Sequence, residues 1–296
     1  MSPRAPLPLG YEGVPFRVAA ARGEGVSRGR LRRLPNPFHG VRSTSAPSDL
    51  LGRAAALQAV FRPADSFSHL TAAALSGLRL PEGPGDQRLH VTTLGDGCAM
   101  RRPGVRGHVA RGGRRLALSP TGLVVTDPVE TWTDLAGELG VDELIAMGDG
   151  LLARRGPLAT RAELERAADA GRPGAGRLRE ALRWIRPGTD SWRETMLRLA
   201  LVRRGVPEPE VNGAIIDDRG TVIAHGDLVW RAPRLIVEYE GRQHWEDARQ
   251  FRIDIDRINR VGVHGWRHHR VDKHLLAMPD RLAHDVLSLL AARPAG

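Results

Sequence analysis

Four acidic residues in the last third of the chain have the types and spacing to build a cation site: Glu194, Asp227, Glu238 and Glu240. Asp227 lies in an extended stretch, Thr221 to Trp230, and the other two strand acids lie in the apolar run Leu235-Ile236-Val237-Glu238-Tyr239-Glu240. Between them Arg231-Ala232-Pro233-Arg234 reads as a turn, because proline lacks the amide that a central ladder needs. If those residues form the loop, Trp230 opposes Leu235, and the same register sets Asp227 opposite Glu238. Their Cβ atoms then stand about 5 Å apart, and Glu240 points to the same face as Glu238. Like charges facing each other across a sheet are unfavourable, so the group needs protons or a cation to neutralise it. A hard divalent cation answers that need, and Mg2+ (or Mn2+) suits an oxygen-ligand site in which the ion keeps several waters. The plainer alternative is an acidic strand that faces water.

The elements around these residues follow from periodicity. A helix is predicted over 194–204, with Leu197 and Leu201 spaced so that Glu194 shares their apolar face. A strand at 214–216 and the turn Asp217-Asp218-Arg219-Gly220 precede the two stretches above. After Gly241 come Arg242, Gln243 and His244, then a helix carrying Phe251, Ile255 and Ile258 at helical spacing. Gly265 to Val271 reads as a strand with Trp266, His268 and Arg270 on one face and Arg267, His269 and Val271 on the other. A terminal helix is predicted over 275–290. The order is helix, three-stranded antiparallel meander, helix, strand, helix, which is an α/β arrangement.

Residues 190–284 resemble the very-short-patch-repair-like endonuclease group of the PD-(D/E)XK superfamily. The resemblance rests on Glu194, Asp227, Val237-Glu238-Tyr239-Glu240-Gly241 with His244, Phe251-Arg252-Ile253-Asp254-Ile255-Asp256-Arg257, and Gly265-Trp266-Arg267. It implies an αβββαβα restriction-endonuclease-like domain, with Asp227 as the first acid and Glu238 as the second. Two positions depart from the superfamily pattern: Glu240 stands where lysine is usual, and Gly226 stands before Asp227 where proline is usual. The resemblance implies a metal-dependent endonuclease hydrolysing phosphodiester bonds, with DNA as the expected substrate. Asp227, Glu238 and Glu240 would hold Mg2+, Glu194 would support them, and His244 would move a proton. The alternative is a DNA-binding regulator or antitoxin whose nuclease-like end does not cut. Nucleases for RNA or branched DNA also remain open.

Charge points to the same class of partner. The formal charge is +10, and residues 1–60 hold nine arginines against three acids, a surplus suited to phosphate backbones. Phe16 to Ala21 reads as a helix, Gly23 to Val26 as a turn, and Ser27 as the cap of a second helix through Arg28, Arg30, Arg32 and Arg33. Phe38-His39-Gly40-Val41-Arg42 follows as a short extended piece. This region resembles the helix-turn-helix of abortive-infection antitoxins, which implies DNA contact by Ser27, Arg28, Arg30, Arg32 and Arg33 and leaves a partner toxin open. Three segments are expected: 1–48, helix-turn-helix-like; 49–187, a mixed α+β region of unassigned role; and 188–296, nuclease-like. His69, His90 and His108 fall at irregular spacing in the middle segment and read as packing or surface residues. Cys98 is the only cysteine, which excludes an internal disulfide and a cysteine-cluster zinc site. No apolar run approaches the ~20 residues of a membrane span, and a cytoplasmic location is expected.

Overall fold

The computed structural model describes residues 7–8, 10–81, 83, 85–217, 219–240 and 261–292. The chain divides into two compact units, Met1–Leu135 and Ala136–Gly296, so the helices of residues 136–187 group with the C-terminal segment. The architecture is mixed α/β, with three sheets among the described residues. Among the described residues, no helix is long and apolar enough to cross a membrane.

The first unit opens with a small closed motif. Strand β1 (Phe16–Arg17) pairs antiparallel with β2 (Val41–Arg42), and helices α1 (Val18–Gly23) and α2 (Arg28–Leu31) lie between them in sequence. The turn between the helices needs Gly25, whose φ of +85° lies in the left-handed region. Ser27 caps α2, its Oγ accepting from the Arg30 amide at 3.3 Å. Phe16, Ala21 and Leu31 form the motif's core.

Phe16 and Arg17 are strand rather than helix, because pairing with β2 and donation from Arg17 Nη2 to the Phe61 carbonyl at 2.9 Å hold them extended. Helix α2 ends at Leu31 instead of Arg33. Arg42 Nε takes the Leu31 carbonyl at 2.7 Å, satisfying one of the acceptors that a helix end leaves open.

A five-stranded mixed sheet follows, ordered β5-β4-β3-β7-β6. Its strands are β3 (Asp65–Phe67), β4 (Leu89–Leu94), β5 (Val105–Ala110), β6 (Leu116–Leu118) and β7 (Val124–Thr126). Helices α3 (Leu50–Gln58), α4 (His69–Leu75) and α5 (Pro128–Asp134) accompany it. Leu57, Phe67, Leu89, Val91 and Val125 lie at the centre of its core. Asp127 caps α5 by accepting from the Val129 amide at 2.9 Å, and Pro128 takes the first turn, where no intrahelical donor is needed.

The second unit begins with α6 (Val141–Leu151), α7 (Arg161–Asp169), α8 (Ala175–Trp184) and α9 (Trp192–Val202). Strands β8 (Glu210–Ile216), β9 (Val222–Trp230), β10 (Leu235–Tyr239) and β11 (Arg267–Val271) form one sheet ordered β11-β10-β9-β8. The first three run as an antiparallel meander, whereas β11 lies parallel to β10. Leu228, Trp230, Leu235, Val237 and Val271 pack with Leu197 and Leu201 of α9 on one face, and Val229, Ile236 and Trp266 cluster separately. The terminal helix expected over 275–290 is two helices, α10 (Lys273–Leu276) and α11 (Pro279–Ala291). Asp272 caps the first, and Pro279 has no amide to continue it, so the break falls between them.

Candidate functional site

The turn at 231–234 sets the register that its sequence predicts. Trp230 opposes Leu235, Val229 opposes Ile236 and Leu228 opposes Val237. That is the last ladder pair between β9 and β10. Asp227 and Glu238 stand one position beyond it, where the strands part. Asp227 does not simply face its neighbour: its Oδ2 accepts the Tyr239 amide at 2.9 Å and so caps the free end of β10.

Val211 pairs with Leu228 and Gly213 with Gly226, leaving Asn212 and Asp227 between the two pairs. Asn212 has a φ of +48°, a conformation that asparagine tolerates better than most residues. A Cβ on Gly226 would come within 2.5 Å of Ile236 Cγ2, so the residue before Asp227 has to be glycine.

The remaining acids are held by named partners. Glu194 sits in the first turn of α9 and is only 8% exposed. Its Oε2 accepts from the Asp190 amide at 2.7 Å and from Asn212 Nδ2 at 3.0 Å, while Asn212 also donates to the Gly188 carbonyl at 2.6 Å. Glu238, 9% exposed, meets His268 Nε2 at 2.7 Å through its Oε2. Glu240 Oε1 accepts from Arg270 Nη1 at 3.0 Å. The parallel register with β11, which sets Ile236 beside His268 and Glu238 beside Arg270, puts these two basic residues alongside the two glutamates. His244 and the helix expected after it lie outside the described residues.

Thus the fold gathers Glu194 and Asn212 beside β8, and Glu238, Glu240, His268 and Arg270 along β10 and β11. The acids do not close into a set of three with ligand atoms within 4.8 Å of one another. Among the described residues that arrangement occurs at His69, His90 and His108. By sequence these histidines carry no assigned chemistry, because their separation along the chain hides their convergence. His69 opens α4, His90 lies on β4 and His108 on β5. The parallel pairing of Thr92 with His108 brings the last two rings onto one face. His108 Nε2 stands 3.3 Å from His90 Nδ1, and the His69 and His108 rings stack with centroids 3.8 Å apart. Burial, then the neighbouring His108 and His90, push His69 down to about 2, and burial and His90 push His108 down to about 4, so both rings are neutral at pH 7.

In the first unit Arg28, Arg32 and Arg33 are exposed and Arg30 is half-buried, with Ser27 exposed at the cap. These residues lie together in one short stretch of surface around α2.

Fold and sites together define a mixed α/β protein with an arginine-rich front motif, a histidine cluster in its first unit and a set of partly buried acids in its second. The chain is 30% identical over 245 residues to the uncharacterised protein Rv2248 of Mycobacterium tuberculosis (strain ATCC 25618 / H37Rv), a match covering 81% of this chain and 85% of that protein. The uncharacterised protein MT2308 of strain CDC 1551 / Oshkosh matches at the same identity and coverage. This chain belongs to their family. A crystal structure of the Rv2827c protein from the same species is similar at a TM-score of 0.40 and 17% identity, over 69% of this chain and 83% of that one. No protein-family model matches the sequence.

Proposed function

We propose that the second unit is a metal-dependent endonuclease of restriction-endonuclease-like fold that hydrolyses phosphodiester bonds in DNA. The observation that carries the reading is the end of the β9–β10 hairpin, where Asp227 caps β10 one residue from Glu238. A meander of three antiparallel strands, a preceding helix with a buried Glu194 and a parallel fourth strand supply the frame that the superfamily resemblance implies.

Carboxylate oxygens are the donors a hard dication takes, so the residue types fit Mg2+ or Mn2+, and Asp227, Glu238 and Glu240 would hold it. When bound, such an ion supplies charge stabilisation at the phosphate. The chain's own residues do the rest. Glu194, fixed by Asp190 and Asn212, adds negative charge beside the hairpin end. His244 would move a proton, and His268 contacts Glu238 directly. Arg270 brings a guanidinium to Glu240, the position where the superfamily usually carries lysine, and arginine matches phosphate geometry well. In the first unit the exposed arginines around α2 would contact the DNA backbone.

A second reading has its own support: Glu238 and Glu240 are already paired with basic residues, as in a domain that binds without cutting. On that reading the protein is a DNA-binding regulator or antitoxin. Cleavage of plasmid and oligonucleotide DNA with Mg2+ or Mn2+ distinguishes the two. The nuclease reading expects cutting by the wild type and its loss in Asp227→Ala and Glu238→Gln. Sequence-selective binding by an inert wild type would establish the regulator instead.

A further inference from the structure

We propose that His69, His90 and His108 form a binding site for a zinc-class divalent ion, separate from the acidic residues of the second unit. The three side chains come from three elements, yet one ligand atom of each lies within 4.8 Å of the others. Zinc binds histidine nitrogen at about 2.0–2.1 Å in tetrahedral geometry, which sets neighbouring ligand nitrogens about 3.3–3.4 Å apart. His108 Nε2 and His90 Nδ1 are 3.3 Å apart, which matches that edge.

The outer nitrogens of His90 and His69 have partners of the kind such a site requires. His90 Nε2 lies 3.4 Å from Asp86 Oδ2, a carboxylate–histidine pair of the kind that orients metal ligands. His69 Nδ1 is 3.0 Å from Ser68 Oγ, which leaves Nε2 as the nitrogen for an ion. Ser68 is itself fixed by Thr92 Oγ1 at 2.8 Å and through its amide by the His90 carbonyl at 3.1 Å. His90 is fully buried, while His69 and His108 are half-buried, so the site has a rigid floor and an open side.

The donor set selects the class of ion. Imidazole alone, without thiolate or carboxylate, suits zinc and its first-row neighbours and does not suit Mg2+. Arg88 and Arg106 stand nearby and both pair with Asp86, at 2.7 and 3.5 Å. The fourth tetrahedral position is left to solvent or to a small ligand.

Titration of the tag-free full chain in a Cys98→Ser background with Zn2+, followed by calorimetry, tests the site. A parallel titration with Co2+ reads the ligand-field absorption of a tetrahedral centre. One tight site per chain is expected in the wild-type cluster and in Glu238→Gln. Affinity should fall at least tenfold in His69→Gln and in His108→Gln, both chosen at half-buried positions so that folding, checked by circular dichroism, is kept. Unchanged Zn2+ affinity in these folded variants would overturn the proposal, as would a wild type that binds no tighter than they do. If both variants fail to fold, Co2+ spectra of the wild type decide: octahedral or absent bands overturn the assignment, and tetrahedral bands support it.

Discussion

Asp149 and Arg198 are both fully buried, and their ion pair, 3.5 Å between Oδ2 and Nη2, stands at the joint of α6 and α9. Asp149 also accepts the Arg186 amide at 2.7 Å and the Thr195 hydroxyl at 2.8 Å. Asp149→Asn keeps the shape but removes the charge, and turns an NH2 toward groups that themselves donate. Breaking a buried pair from one side costs about 3–5 kcal/mol, because the other charge is left without its counterion. Arg198 keeps Glu208 at 3.0 Å and the Trp184 carbonyl at 2.6 Å, and Glu208 is 37% exposed, so the lower end, ~3 kcal/mol, is expected. For a unit of this size that corresponds to a melting-temperature loss of roughly 6–12 °C. Thr195 follows Glu194 on α9, so the substitution should also loosen the first turn that carries the buried acid. Scanning calorimetry of the wild type, the single variant and the paired replacement Asp149→Leu with Arg198→Met measures the effect. The pair, which removes both charges, should lie closer to the wild type than the single variant does. A single variant within about 1 kcal/mol of the wild type would refute the reasoning, since the charge would then not be the element that Arg198 requires.

Gly226→Ala should destabilise the second unit by ~1–3 kcal/mol, because its Cβ meets Ile236 and Val229 in a packed strand pair, and urea midpoints measure it. The first unit should lose stability as pH falls below about 4. Burial would raise the Asp65 carboxyl, but donation from the Arg62 side chain and amide and from the Thr93 hydroxyl outweighs burial and lowers it. A carboxylate lowered on folding stabilises above its unfolded pKa and loses that contribution as pH falls through the folded one, so Asp65→Asn should flatten the acid limb of the stability profile. Alanine at Arg28, Arg32 and Arg33 should weaken DNA binding across sequences and lower the salt slope by about one for each phosphate no longer neutralised, and fluorescence anisotropy at several salt concentrations reads it. An unchanged slope would place DNA contact elsewhere.

What the sequence determined by itself was local. The turn 231–234 dictated the β9–β10 register because a proline-bearing loop of fixed length leaves one way to pair the flanking residues. Alternation along Trp266 to Val271 correctly separated the Trp266, His268 and Arg270 face from that of Val271, since side-chain direction in a strand has a period of two. Ser27 was legible as a cap because a cap acts within three residues of itself. Other features depended on partners distant in the chain. Strands β3 and β6 have three residues each and β5 runs through Gly107 and His108, and only the sheet that unites them makes them strands. Phe16 became strand through β2, and Arg42 shortened α2, both from across the motif. Asp227 caps Tyr239 just beyond the last ladder pair of β9 and β10, and Asn212 takes a left-handed conformation beside the continuous β8–β9 register, neither of which any spacing announces. The histidine cluster makes the case most plainly: three residues at irregular spacing meet because parallel pairing of β4 with β5 sets two rings on one face and α4 starts above them. Local chemistry is written along the chain, whereas convergence is decided by which strands become neighbours.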